Sequence, residues 1–396
     1  MTMKRFAFML AAVAAIAAVV PSVYGAPGIN TPPTFVPMAA LARGIVADNI
    51  AINVEPAKAA SKYPYTPRDM NLWRAMGFTY VRIPVDVCHM LPGLPLYPSS
   101  PTRLSTAKTV SDALSYLDSK VQQFIESGFL VVVCVFVSDR DLRSKKAADG
   151  TFDQMLKDAS AVMPRRYGGR YDQTRIMFEI YNEPLYNDSG PGFMFADWNA
   201  LHPQLVRIIR AIAPKHTLIM DGPRFAKAEF ISNLAPSTDT NVIYSFHFYD
   251  PPQLTQQGAG GGRDATFIYP RPATKDGSAN WPKEWDKSKV AARIRMAIDW
   301  AKGDNRARRP LPLICGEFGC TGAPDYASRL RWVTDVRDVL STAGIPLCWW
   351  SEKGKAFGLN PIGKPTENHN VLDANSASAA FGYDVDLVRI LTYPYK

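Results

Sequence analysis

Short apolar runs recur along this chain, separated by longer amphipathic stretches. Eight of them have the length and the β-branched and aromatic content of buried strands: 41–47, 79–84, 129–137, 176–181, 217–221, 241–249, 313–316 and 346–350. Between them, Leu114, Leu117, Val121 and Phe124 follow helical spacing, and Gly128 closes that helix. Leu205, Ile208, Ile209 and Ile212 repeat the pattern before Ala213-Pro214. Tyr326, Leu330, Val333, Val336 and Leu340 form a third such stripe, ending near Gly344. Strand and helix in repeated alternation imply parallel pairing. Eight such units predict an α/β fold closed into a (β/α)8 TIM barrel rather than an open sheet. Neither an internal repeat nor an interdomain linker is visible, so one domain is expected. Trp73, Trp198 and Trp332 fall on helical patterns and are expected to be packing residues.

One long insertion interrupts the alternation. Residues 251–285 follow the sixth run and contain Gly258-Ala259-Gly260-Gly261-Gly262, then Phe267, Tyr269, Trp281 and Trp285. A connection this long is functional or mobile. A plain surface excursion is one reading; the aromatics favour a wall of a ligand cleft.

Composition changes the picture first at the N-terminus. Lys4-Arg5 is followed by an apolar segment from Phe6 to Val20, and Val23-Tyr24-Gly25 places small residues at the −3 and −1 positions of a cleavage site before Ala26. This is the form of a secretory signal over residues 1–25, with an uncleaved membrane anchor as the rival. The apolar segment falls short of the ~20 residues that span a bilayer. Removing 25 of 396 residues leaves about 370, residues 26–396, which suits one large barrel. A secreted or periplasmic protein without stable membrane insertion is expected, and a monomer.

The formal charge of +9 falls by two, to +7, because Lys4 and Arg5 leave with the signal and no acidic residue does. The remaining positive charges are dispersed. They read as a solvated basic surface, with an anionic polysaccharide or cell surface as the lesser alternative, and no nucleic-acid partner is expected. Of the five cysteines, Cys134, Cys315 and Cys348 lie in apolar runs and read as small buried hydrophobes. A Cys315–Cys320 disulfide is conceivable, and Cys88 completes the odd count. No CxxC or HxH pattern occurs, and His89, His202, His216, His247 and His369 do not cluster at ligand spacing in sequence, so neither metal nor cofactor is expected.

Candidate chemistry enters at the ends of two runs. The fourth, Arg175-Ile176-Met177-Phe178-Glu179-Ile180, opens into Tyr181-Asn182-Glu183-Pro184, and the seventh ends Cys315-Gly316-Glu317-Phe318-Gly319. In a barrel these two glutamates can face each other across the mouth, where catalytic residues lie. Two opposed carboxylates are what cleavage of a glycosidic bond requires. One must carry a proton for the leaving oxygen, and the other must be ionised to attack the anomeric carbon. A separation of ~5–5.5 Å would imply retention of configuration.

At this point the chain resembles glycoside hydrolase family 5, the cellulase-like family of clan A, over nearly all of its mature length. The stretches 175–184 and 314–319 look like that family's acid/base and nucleophile strands. Val81-Arg82-Ile83-Pro84 resembles its second strand, Phe246-His247-Phe248-Tyr249 its sixth, and Cys348-Trp349-Trp350 its eighth. By that resemblance Glu183 is the acid/base and Glu317 the nucleophile. Glu183 must hold a proton, which the negative charge of Glu317 nearby favours. Arg82 and Tyr249 would keep Glu317 ionised and oriented, Asn182 would meet the substrate 2-hydroxyl, and His247 would adjoin Glu183. Trp350 is the first choice for the sugar-stacking platform and Trp349 the second, since adjacent strand residues point to opposite faces. Left to themselves, Arg82 could be a surface ion-pair partner and His247 a core histidine.

The chain departs from the family twice. Its third run lacks the histidine usual near its end, where Ser138 or Asp139 stands. Its fifth ends Met220-Asp221-Gly222-Pro223-Arg224 where the family often has Gly and Trp. The resemblance implies a retaining β-glycosidase acting within a β-linked polysaccharide, a β-glucan first. The alternatives are a transglycosylase on the same site and a catalytically silent carbohydrate-binding barrel.

Overall fold

Each of the eight apolar runs overlaps a strand, and each strand is buried almost throughout. In the computed structural model β1 is Arg43–Val46, β2 Tyr80–Asp86, β3 Leu130–Phe136, β4 Ile176–Glu179, β5 Leu218–Asp221, β6 Val242–Phe248, β7 Leu313–Phe318 and β8 Leu347–Trp349. All neighbours pair in parallel, and β8 returns to β1, which closes the barrel. The structure describes residues 36, 38–47, 65–87, 107–137, 151–184, 195–259, 267–271, 284–352, 357–359 and 383–393. The chain divides into two units, 1–30 and 31–396, and the described residues all belong to the second. The expected signal, Cys88, Ser138, Asp139 and Trp281 lie outside them. Among the described residues no helix is long and apolar enough to cross a membrane.

The longer helices among the described residues are α1 Pro67–Met76, α2 Ala107–Glu126, α3 Thr151–Tyr167, α4 Phe195–Ile212, α5 Lys287–Asp299, α6 Tyr326–Thr342 and α7 Val385–Thr392. The three stripes picked out by helical spacing fall on α2, α4 and α6. Between β5 and β6 the chain uses only a short 3-10 turn, Ala228–Asn233, in place of an α-helix. Trp73, Trp198 and Trp332 are fully buried against the barrel, as their spacing predicts.

Period-two alternation divides the strand residues into two cores. Val81, Ile83, Val133, Phe178, Met220, Phe246 and Leu347 face the helices. Tyr80, Val132, Met177, Ile219, Ile243, Ile314 and Cys348 fill the barrel interior. One step further along each strand, the interior turns polar: Arg82 on β2, Cys134 on β3, Glu179 on β4, Asp221 on β5 and Ser245 on β6. This polar layer lies at the C-terminal mouth.

Two expectations need correction. Phe267, Tyr269 and Trp285 of the insertion are buried in the helix-facing core, and the Tyr269 hydroxyl donates to Asp335 on α6 at 2.7 Å. These aromatics pack the flank of the barrel and do not wall a cleft. Cys315 and Cys320 are free thiols, as are Cys134 and Cys348. Five residues of extended chain separate the Cα atoms by roughly 15 Å, far beyond disulfide reach.

The seam between β8 and β1 is held from outside by the chain's C-terminal part. The Glu352 N–H donates to the Val46 carbonyl at 3.0 Å. The Tyr383 hydroxyl donates to Glu352 at 2.8 Å and accepts from the Trp73 indole N–H at 2.9 Å. Tyr383→Phe should leave that buried indole N–H without its acceptor and lower stability by about 1–3 kcal/mol. Thermal or denaturant unfolding checks this, with the barrel otherwise intact.

Candidate active site

A cation inside a barrel is tolerated only when its donors are all occupied. Arg82 meets that condition at each of its three nitrogens. Its Nε and Nη2 donate to the two oxygens of Glu179 at 2.6 and 2.5 Å, and Nη1 donates to Glu317 Oε1 at 2.6 Å. Nη2 also reaches the Asn182 Oδ1 at 2.8 Å and the Cys134 sulfur at 3.2 Å. The Cys134 thiol donates in turn to Glu179 Oε1 at 3.1 Å. Arg82 is therefore no surface ion-pair partner.

Glu317 reaches this network through a break in the strand. The β6–β7 register shifts between Phe246 and His247, so that His247 pairs with Glu317 while Gly316 is skipped. Strict alternation from Ile314 would send Glu317 toward the helices; the bulge returns it to the interior. Gly316 allows this because a Cβ there would lie 2.2 Å from the Ser245 Oγ. The Tyr249 hydroxyl donates to Glu317 Oε2 at 2.9 Å. Burial and then the charge of Glu317 push the Tyr249 phenol well up, so it stays a donor.

Glu183 is the more open carboxyl, with its side chain 23% exposed. Its backbone is left-handed, φ 49°, and its N–H donates to Asp221 Oδ2 at 3.0 Å. His247 Nδ1 lies 3.0 Å from Glu183 Oε1 and 3.5 Å from Glu317 Oε2, while Nε2 lies 3.4 Å from Asp221 Oδ2. His247 is thus a site residue, not a core histidine. One oxygen of Glu183, one of Glu317 and a nitrogen of His247 all stand within 4.8 Å of one another.

The charges order themselves accordingly. Burial would raise Glu179, but Arg82 holds it below the usual carboxylate range. Burial raises Glu317, and His247 and Arg82 offset this only in part. Burial raises Asp221 to about 7 against the pull of His247. Burial works against a charged His247, but Glu317, Asp221 and Glu183 overcome it and raise the imidazole to about 9.

Two groups, Glu179–Asp221–His247 and Glu183–His247–Glu317, have spacing that could hold a metal ion. Both oxygens of Glu179 are taken by Arg82, and those of Glu317 by Arg82 and Tyr249. A cation would have to compete with a guanidinium and with the proton on His247, so these residues are not assigned as ligands.

The eighth strand separates the two tryptophans. Trp350 is half-buried and packs on the barrel-interior core, so it remains a candidate platform. Trp349 is completely buried on the helix side, edge-on to Phe318 at 5.3 Å between ring centroids, and must be withdrawn as a sugar contact. The residues not foreseen are Glu179, Cys134 and Asp221. All three stand two positions beyond an inward apolar residue, and that spacing was the signal available.

A family model described as cellulase (glycosyl hydrolase family 5) matches residues 52–356. The chain belongs to that family. Its relatives include Endoglucanase C of Acetivibrio thermocellus, 24% identical over 325 residues, covering 77% of this chain and 89% of that one. Endoglucanase 3 of Fibrobacter succinogenes is 24% identical over 329 residues, 76% of this chain. The match spans only 47% of that relative's length. Among solved structures, the endoglucanase Cel5A of Thermotoga maritima superposes with a TM-score of 0.66 at 21% identity, covering 89% of this chain and 97% of that one. That likeness carries the fold.

The site has a pH signature. His247 takes up its proton more readily in the fold than its ordinary 6.5. Its contribution to stability is therefore complete below about pH 6.5 and lost as pH rises through about 9. Melting temperature should fall across that window, and His247→Gln should flatten the fall. A wild-type melting temperature independent of pH there contradicts a charged His247.

Proposed function

We propose that this chain is a retaining β-glycosidase that cleaves internal bonds of a β-linked polysaccharide, a β-glucan first, by double displacement. Membership of the cellulase family supports the glycosidase. The observation that carries the mechanism is the approach of Glu183 and Glu317, whose nearest oxygens lie within 4.8 Å. Retaining enzymes place their carboxyls ~5–5.5 Å apart and inverting ones ~6.5–9.5 Å apart, and a close approach of oxygens favours the shorter arrangement.

Glu317, oriented by Arg82 and Tyr249, attacks the anomeric carbon. The C–O bond to the leaving sugar breaks, and Glu183 gives its proton to that oxygen. A glycosyl ester on Glu317 results. Water then attacks the same carbon, Glu183 takes the water proton, and the ester bond breaks to restore the Glu317 carboxylate. Arg82 occupies the Asn182 carbonyl oxygen. That leaves the amide nitrogen to donate to the substrate 2-hydroxyl, a contact that strengthens as the oxocarbenium character grows. Trp350 offers an aromatic face to the apolar side of a pyranose.

The mature enzyme is assigned outside the cytoplasm, secreted or periplasmic, on the strength of the Lys4-Arg5 and Phe6–Val20 pattern. N-terminal sequencing of exported protein should begin at Ala26.

The substrate is tested with a panel of β-glucans and β-mannan. The Thermotoga protein has been solved with cellobiose and with mannotriose, so both backbones belong in the panel. Glu183→Gln and Glu317→Gln should each lose polymer cleavage by about 10²–10⁴-fold with the fold intact. The first sugar released should carry the β configuration by NMR. Release of the α anomer, or full activity in either variant, contradicts the assignment. Longer oligosaccharides at high acceptor concentration would indicate transfer instead of hydrolysis.

A further inference from the structure

Asp221 is the buried carboxyl at this site that double displacement leaves without a task. It is wholly inaccessible at the end of β5 and points into the polar layer. Oδ2 accepts the Glu183 N–H at 3.0 Å and stands 3.4 Å from His247 Nε2. That ring edge is opposite the one facing Glu183. Neither Asp221 Oδ1 nor His247 Nε2 has a hydrogen-bond partner among the described residues. Asp221 therefore grips the backbone of one residue and the ring of the other at ion-pair distance.

The backbone just beyond repeats both attachments. The Arg224 N–H donates to the Pro184 carbonyl at 2.9 Å, and the His247 N–H donates to the Ala226 carbonyl at 2.7 Å. Arg224, Phe225 and Ala226 all hold positive φ, at 55°, 61° and 53°. Three successive left-handed non-glycine residues persist only where their surroundings over-determine them. Here the determining contacts run to the neighbour of Glu183 and to His247.

We propose that Asp221 is a positioning residue for the acid/base glutamate, fixing the Glu183 backbone and holding the imidazole that faces its carboxyl. This rests on the reading of Glu183 as acid/base. The charged and titratable groups around the pair are accounted for by strand. His247 is faced by Glu183 beyond β4, Glu317 on β7, Asp221 on β5 and Glu179 on β4. Asp221 is faced by His247 on β6, Glu179 on β4, Arg82 on β2 and the Cys134 thiol on β3. Tyr249 completes the set beside Glu317 and Glu183. Removing the charge of Asp221 takes one negative charge from beside His247, whose imidazole then loses its proton at lower pH.

The test compares wild type, Asp221→Asn and Glu183→Gln on a β-glucan and on a dinitrophenyl β-cellobioside. The aryl group leaves without an acid; the sugar does not. Asp221→Asn keeps an acceptor for the Glu183 N–H but not the charge. It should lose on the order of tenfold in kcat on the glucan and little on the aryl glycoside. The basic limb of its glucan pH profile should move to lower pH. Asp221→Glu, which restores the charge, should bring that limb back, and it serves as the second variant if the asparagine form fails to fold. Equal losses on both substrates, no loss on either, or an unmoved limb overturns the proposal. Glu183→Gln separates the two claims. If it cleaves glucan at the wild-type rate, the acid/base reading falls and takes this inference with it. If it is selectively impaired while Asp221→Asn matches wild type, only the role of Asp221 falls.

Discussion

One buried guanidinium sets the arrangement of this site. Arg82 has five N–H donors on a rigid plane and no acceptor, and nearly all of its surface is enclosed by the barrel. It can be buried only if carboxylates come with it. Glu179 takes two donors and Glu317 takes one, which neutralises the cation and fixes Glu317 in the plane of the fork. Asn182 is tied to the same nitrogen as Glu179, so the fourth strand cannot shift without the second. A lysine would supply the charge but not this bidentate geometry.

The remaining features follow from having to bring two carboxyls near each other above that cation. Glu317 enters through a strand irregularity that Gly316 permits. Glu183 is held in a left-handed conformation by contacts from the fifth strand. His247 stands between them, and the carboxyls around it favour its charged form. Glu317 is tightly held and nearly enclosed, while Glu183 is partly open to solvent. That difference suits one group bonded to the sugar ring and one exchanging protons with leaving group and water.

Much of this was legible in the sequence. All eight strands stood out because barrel strands are buried on both faces and so read as continuous apolar runs. Glu183 and Glu317 converge as their strand-end positions implied, and Arg82, Asn182, His247 and Tyr249 join them as the family resemblance implied. Glu179 and Cys134 were passed over, and Asp221 was marked only as a departure from the family, because a single polar residue inside or ending an apolar run carries no label until the inward phase of the strand is known. Tyr80 to Arg82, Val132 to Cys134 and Ile219 to Asp221 each supply that phase. Alternation implied that one of Trp349 and Trp350 is core, and burial shows it to be Trp349, whereas strict alternation would have excluded Glu317 wrongly, since its bulge breaks the period. The insertion misled because aromatic content alone does not distinguish a ligand wall from a flank packed on α6, where Tyr269 lies.

The central claim is that Glu317 bonds to the sugar. A glycoside with fluorine in place of the 2-hydroxyl slows formation and breakdown of the intermediate, because fluorine opposes the oxocarbenium-like transition state. Given a good leaving group, the intermediate should accumulate. Mass spectrometry of the digested adduct should then find one glycosyl unit on the peptide carrying Glu317. An adduct on the peptide carrying Glu183, or turnover of the unmodified substrate with no trapped species under any condition, would contradict the account.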